Sequence, residues 1–233
     1  MAETTTYAQQ RERLRDYFDR TASETWARLT SDAPVSRIRE TVRAGRAEMR
    51  ETLLSWLPED LSGRRLLDAG CGTGALTLEA ARRGAEVVAV DVAGSLLSVA
   101  AERTPAELRA RITWQTGDML DPGFGAFDHV VAMDSLIHYG PRDIVGALGQ
   151  LAARTRHSVV FTFAPRTPLL AAMHTAGKLF PRSDRSPAIQ PIGERRLHGG
   201  VRSSEALDGW VAARSARVSR GFYISHGLEL VHP

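Results

Sequence analysis

The chain has 233 residues, 43% of them hydrophobic, enough to bury one sizeable core with appended segments. Its formal net charge is +3, carried almost wholly by arginine because Lys178 is the sole lysine, and so small and scattered an excess argues against a nucleic-acid partner. The single cysteine, Cys71, excludes an intramolecular disulfide, and no apolar run approaches bilayer-spanning length, so a soluble cytoplasmic protein, or one held peripherally at a membrane, is expected.

In chain order, Tyr7 to Trp56 reads as mostly helical, and its polar start does not resemble a signal peptide. Leu14, Tyr17 and Phe18 share one face of a first helix. Ile38, Val42, Met49 and Leu53 recur at helical spacing in a second, with Pro34 marking the break between the two. Pro58 and Gly63 end this region. Strands are then predicted at Arg65–Ala69, Glu86–Val90, Ile112–Gln115, Phe127–Met133 and Val159–Phe163. Helical segments such as Ala75–Arg83 and Ser95–Arg103 separate most of them. That alternation predicts βαβ units in a parallel, doubly wound sheet.

The tail breaks the pattern. Ser203 or Ser204 can cap a helix running to about Arg214. Arg217–Ser219 and Gly221–Leu230 read as two strands joined too tightly for a parallel crossover, so they are expected to be antiparallel. The predicted fold class is α/β, a seven-stranded sheet whose last strand is reversed. Residues 1–60 form an N-terminal helical lid, 61–164 the core, 165–202 an insert, and 203–233 a last helix and strand pair. The insert holds Pro165, Pro168, Pro181, Pro187 and Pro191 around one apolar stretch, Leu169–Phe180. Long loops of this kind in compact domains are usually functional or disordered.

Leu67-Asp68-Ala69-Gly70-Cys71-Gly72-Thr73-Gly74 lies between the first strand and its helix. Gly70, Gly72 and Ala75 also satisfy the dinucleotide pattern, a weak signal alone. Asp68 shifts the balance, because a pyrophosphate sits poorly beside a carboxylate, whereas a sulfonium and an ammonium are favoured there. The string resembles motif I of class I S-adenosylmethionine-dependent methyltransferases, and the reversed tail strand suits that fold. The resemblance implies that Asp68 contacts the methionyl end of the cofactor, while Ala69, Gly70, Cys71, Gly72 and Gly74 let it lie on the backbone. It also implies that Asp91 binds the ribose hydroxyls with Val92 beside it, that Asp118 meets the adenine amino group, and that Met119 packs near the ring. Asp134 and Arg43 complete the expected cofactor set. Cys71 is read as a small loop residue rather than a nucleophile.

The fourth strand runs into Leu136-Ile137-His138-Tyr139. Ligands of open α/β sheets bind beyond the carboxyl ends of the strands, so His138 and Tyr139 are expected near the transferred methyl. With Tyr17-Phe18, Val42-Arg43-Ala44-Gly45, Phe163-Ala164-Pro165 and Gly221-Phe222-Tyr223, the string resembles the magnesium-protoporphyrin IX methyltransferases of bacteriochlorophyll biosynthesis. The likeness spans Tyr17 to Leu230. It implies methylation of a porphyrin propionate, with His138 and Tyr17 as catalytic candidates and Ile137 and Tyr139 facing substrate. Magnesium enters only inside the porphyrin, and no protein-bound metal is expected. Oxygenic members carry a catalytic tyrosine shortly after the tryptophan matching Trp26, and here that stretch is Ala27-Arg28-Leu29-Thr30, so its role is not carried over.

Tyr17, Phe18 and Trp26, with Leu169, Leu170, Met173, Leu179 and Phe180 and the arginines Arg182, Arg185, Arg195, Arg196 and Arg202, are expected to cover the porphyrin. Weak contact of these segments with the photosynthetic inner membrane is also expected. The resemblance further implies association with the large subunit of magnesium chelatase. The alternatives are an O-methyltransferase for another small carboxylate or phenol, a non-catalytic cofactor-binding module, and a dinucleotide oxidoreductase, the last disfavoured by Asp68.

Overall fold

The computed structural model describes residues 6–19, 37–166 and 188–233. Its elements in chain order are α1 (Tyr7–Tyr17), α2 (Arg37–Ser55), β1 (Arg65–Ala69), α3 (Ala75–Arg82), β2 (Glu86–Asp91), α4 (Gly94–Glu102), β3 (Ile112–Thr116), β4 (Phe127–Ala132), α5 (Pro141–Ala152), β5 (Thr155–Phe163), α6 (Glu194–Arg202), β6 (Val211–Arg220) and β7 (Tyr223–Val231). The seven strands form one sheet in the order β3-β2-β1-β4-β5-β7-β6. β1 to β5 are parallel, and β7 runs antiparallel between β5 and β6. This is the expected class I methyltransferase sheet with its reversed last strand.

Neighbouring residues of the central strands point to opposite faces, and both faces are apolar. Leu67, Val88, Val130 and Val159 join one core, with Ile144 and Leu148 of α5 and Leu197 and Val201 of α6. Leu66, Val87, Val131 and Val160 join the other, with Met49 and Leu53 of α2 and Leu76 and Ala80 of α3. The result is a three-layer sandwich with its switch point between β1 and β4, where open α/β sheets bind ligands.

Three expectations for the second half are corrected. No helix runs from Ser203 to Arg214. The last α-helix is α6, which ends at Arg202; Ser204 precedes only a 3-10 turn, Glu205–Leu207, and Gly209 at φ 78° breaks the chain before β6. Its sequence hid it, because Gly199-Gly200 are poor helix formers and Leu197 and Val201 are its only buried residues. Gly200 has a packing reason, since a Cβ there would meet Val145 Cγ2 at 2.9 Å. β6 starts at Val211 rather than Arg217, and as an edge strand it buries only Val218, so no alternating apolar pattern marks it. β5 begins at Thr155, four residues before the apolar run that signalled it.

Residues 188–202 thus hold a helix packed on α5. The insert's ends also meet: Pro165 and Ile192 form a bridge, and Gln190 N donates to Ile137 O at 2.8 Å. Trp26, Pro34, the stretch 27–30, and Leu169, Leu170, Met173, Leu179, Phe180, Arg182 and Arg185 lie outside the described residues.

Candidate active site

The glycine loop leaves β1 as three left-handed glycines, Gly70 (φ 85°), Gly72 (56°) and Gly74 (78°). Such backbone strongly favours glycine. Two of the three also have close neighbours: a Cβ on Gly70 would strike the Ser135 side chain, and one on Gly74 would strike Trp114. At Gly72 a Cβ would meet nothing within 4 Å, so the backbone there faces open space. Gly70 N and Cys71 N both donate to Val90 O, tying the loop to β2.

Asp68 is buried beneath this loop and accepts from Thr77 Oγ1 at 2.6 Å. Burial pushes its pKa up to about 7, reinforced by the charge of Asp91 and opposed by the Thr77 hydrogen bond. Asp91 ends β2 and is also buried, which raises its pKa, while backbone N–H groups pull it back. Its two oxygens accept from Gly72 N (2.8 Å) and Ala93 N (2.9 Å), leaving one lone pair on each for a hydroxyl. Val92 follows it and is half-buried against the core. The Cys71 thiol is held protonated by burial and by these two carboxylates, an environment opposite to that of a nucleophilic cysteine.

Beyond β3, Asp118 accepts from Leu120 N (3.0 Å), Tyr7 Oη (2.8 Å) and Arg11 Nη1 (2.6 Å). Met119 is buried, and its carbonyl accepts from Arg154. Helix α1 therefore closes over the ends of β1 to β4. A capping box of Thr6 and Gln9 starts it, Leu14 is sunk in the core, and Asp19 beyond its end accepts from Ser95 N and Oγ. The Tyr7 ring stacks on Tyr139 with centroids 4.7 Å apart. Tyr17 meets Phe18 edge-on at 5.2 Å, and Phe18 lies 6.3 Å from the His138 ring. Tyr17 is thus linked to His138 through Phe18.

At the end of β4, Asp134 has φ 56° and is the one non-glycine residue with positive φ among the described residues. Its carboxylate faces Tyr223 Oη (3.1 and 3.2 Å), Thr162 Oγ1 (3.3 Å), Ser225 Oγ (3.5 Å) and Arg46 Nε (3.6 Å). A short 3-10 turn, Leu136–His138, follows. Leu136 is fully buried, Ile137 holds Gln190, and Tyr139 is buried face-on to Tyr7. Arg43 lies on α2, half-buried, one turn before Arg46.

The sequence-derived residues Asp68, Ala69, Gly70, Cys71, Gly72, Gly74, Asp91, Val92, Asp118, Met119, Asp134, Ile137, His138 and Tyr139 all fall at the carboxyl edge of the sheet. Sequence reasoning missed Tyr7, Arg11 and Asp19, which dock α1, and Arg46, Thr162, Tyr223 and Ser225, which surround Asp134. Tyr223 carried a signal, since it belongs to the Gly221-Phe222-Tyr223 string. The others are ordinary polar residues brought in from distant elements. Among the described residues, no group of three His, Cys, Asp or Glu is placed to hold a metal ion.

The site fits a cationic, phosphate-free ligand. Asp68 and Asp91 flank the loop with negative charge, the backbone at Gly72 is open, and Ser135 Oγ is buried over the loop without a hydrogen-bond partner among the described residues. An unmet buried hydroxyl is costly unless a ligand supplies its partner.

Comparison with known proteins agrees. A family described as magnesium-protoporphyrin IX methyltransferase C-terminus matches residues 132–232, and a general methyltransferase domain matches 66–158. The chain is 51% identical over 226 residues to a magnesium-protoporphyrin O-methyltransferase of Rhodobacter capsulatus, covering 96% of this chain and 97% of the relative. A Synechocystis protein of the same name is 29% identical over 94% of each chain. The crystal structure of the Synechocystis magnesium protoporphyrin IX methyltransferase with bound SAH superposes with a TM-score of 0.83 at 28% identity, covering 95% of this chain and 99% of that one. The chain belongs to the magnesium-protoporphyrin O-methyltransferase family.

Proposed function

We propose that this protein transfers a methyl group from S-adenosylmethionine to one propionate carboxylate of magnesium-protoporphyrin IX, giving the monomethyl ester in bacteriochlorophyll biosynthesis. The 51% identity over nearly the full length of a magnesium-protoporphyrin O-methyltransferase carries the reading. S-adenosylmethionine, when bound, supplies the methyl as an electrophilic sulfonium substituent. Asp68 meets its methionyl end with Arg43 and Asp134 nearby, and the backbone of Ala69, Gly70, Cys71, Gly72 and Gly74 carries it. Asp91 and Val92 take the ribose, Asp118 and Met119 the adenine.

A propionic acid has a pKa near 4.3, so it arrives ionised at neutral pH and needs no strong base. Alignment and removal of water from the nucleophile supply the acceleration. His138 orients the propionate, and Tyr17, linked to His138 through Phe18, closes over the cofactor. Ile137 borders the substrate space, and Tyr139, buried against Tyr7, backs it from beneath. Phe222, half exposed at the tip of the β6–β7 hairpin on the same sheet edge, offers the macrocycle an aromatic surface.

Methyl transfer from labelled cofactor to magnesium-protoporphyrin IX tests the proposal, with metal-free porphyrin and an unrelated acid as controls. No labelled ester from the magnesium porphyrin would sink it. Peripheral attachment to the photosynthetic membrane and association with the large subunit of magnesium chelatase are further parts of the proposal. No helix of the described residues is long and apolar enough to cross a membrane. Flotation with anionic vesicles and capture by the purified chelatase subunit test these two parts, and a negative result removes the part concerned.

A further inference from the structure

Asp134 holds a left-handed conformation, φ 56°, that L side chains rarely adopt, so the surroundings must impose it. Four residues from three elements do so. Thr162 Oγ1 on β5 accepts from Asp134 N at 2.7 Å and faces its carboxylate. Ser225 on β7 and Arg46 on α2 approach at 3.5 and 3.6 Å. The Tyr223 hydroxyl, at the start of β7, donates to the carboxylate at 3.1 Å and lies 3.2 Å from its second oxygen. It is closer to the carboxylate than Thr162 Oγ1, Ser225 Oγ or Arg46 Nε. Burial and the neighbouring Asp134 charge both raise the phenol pKa, so the proton stays on Tyr223 as a donor.

The turn after Asp134 is anchored at its far end by buried Leu136, by Gln190 N on Ile137 O, and by Tyr139 stacked on Tyr7. Its near end is Asp134 itself. Rotation at this one residue would swing Ser135 off Gly70 and pull on the short turn that carries His138. Fixing Asp134 therefore fixes the ceiling of the glycine loop and, together with the far-end anchors, the setting of the histidine.

We propose that Tyr223 is a positioning residue for methyl transfer, acting through the Asp134 carboxylate to hold the turn that carries Ser135 and His138. The inference rests on the reading of His138 as the residue that orients the propionate. The Tyr223 ring fills its space against Gly45 whether or not it bears a hydroxyl, so Tyr223→Phe removes the hydrogen bond alone.

The test measures kcat, both KM values, cofactor dissociation constant and melting temperature for wild type, Tyr223→Phe, Asp134→Asn and the double variant. Wild-type turnover on magnesium-protoporphyrin IX first establishes the underlying reaction, so failure there is distinct from failure of this inference. For Tyr223→Phe, kcat per folded molecule falls about tenfold while both KM values stay near wild type, and the melting temperature falls by only a few degrees, as expected for losing one hydrogen bond to a charged group. In the double variant the two losses do not add, because both side chains act through one contact. A Tyr223→Phe kcat within twofold of wild type overturns the proposal, as does fully additive loss. So does a loss explained by a smaller folded fraction with unchanged turnover per folded molecule.

Discussion

Arg11 Nη1 lies 2.6 Å from Asp118 Oδ2, joining the first helix to the acid that follows β3. Tyr7 and Leu120 take the other oxygen. A carboxylate has about four acceptor sites, so three partners leave one for an adenine amino group. On the proposed reading, α1 and the cofactor share one anchor instead of competing for it. Removing Arg11 should loosen both. The pair is partly exposed, its side chains at 31% and 22%, so its worth is about 1 kcal/mol. Arg11→Ala should weaken cofactor binding about fivefold, chiefly through faster release, and should flatten its salt dependence. Calorimetry and stopped-flow release at two ionic strengths check this, and an unchanged release rate refutes it.

With Asp68 at the methionyl end, as proposed, cofactor binding should be pH-dependent. Its pKa in the folded protein is pushed up to about 7, above the ordinary carboxylate value near 3.9. The folded state therefore holds the proton more tightly than the unfolded one. The contribution of Asp68 to stability is fully present below about pH 4 and is lost as pH rises through 7. A cationic ligand needs the ionised form, so affinity should fall up to about tenfold per pH unit below 7. Asp68→Asn should abolish this dependence along with most affinity, yet raise the melting temperature of the ligand-free protein at pH 8. A melting temperature unchanged or lowered at pH 8 would contradict the burial penalty.

His138→Ala separates chemistry from cofactor binding. The histidine follows β4, while Asp68, Asp91 and Asp118 follow β1, β2 and β3. Turnover should drop about 100-fold through lost orientation of the propionate, with cofactor affinity within about threefold of wild type. Steady-state kinetics beside calorimetry checks the split. Turnover near wild type would remove His138 from the catalytic group.

What could be read in advance followed from local chemistry. β1, β2 and β4 are short apolar runs closed by glycine or aspartate, and the glycine loop carries its own conformational demand, so their edge of the sheet was legible. The reversed strand was legible because Gly221-Phe222 is too short for a crossover. α6 was not, since its two core residues sit among arginines and a glycine pair. Nor was β6, whose edge position removes the alternation that marks a strand. The Asp134 cluster joins residues 46, 162, 223 and 225, and no local pattern announces a side chain recruited over such separations. Tyr7 and Arg11 escaped for the same reason, 111 and 107 residues from Asp118.

Gly45 links the stability of α2 to the site. A glycine inside a helix costs about 1 kcal/mol relative to alanine, so an exchange to alanine would ordinarily stabilise. Here a Cβ would lie 2.5 Å from Tyr223 Cδ1 and 2.8 Å from its Cβ, well inside van der Waals contact. The ring is buried and tied through its hydroxyl to Asp134, so it cannot simply turn aside. Overpacking should dominate, and Gly45→Ala should destabilise by about 1–3 kcal/mol in urea unfolding. In a Tyr223→Ala background the clash is gone and only helix propensity remains. There the same exchange should be neutral or stabilising by up to about 1 kcal/mol. Equal destabilisation in both backgrounds would mean that the ring does not set the requirement for glycine.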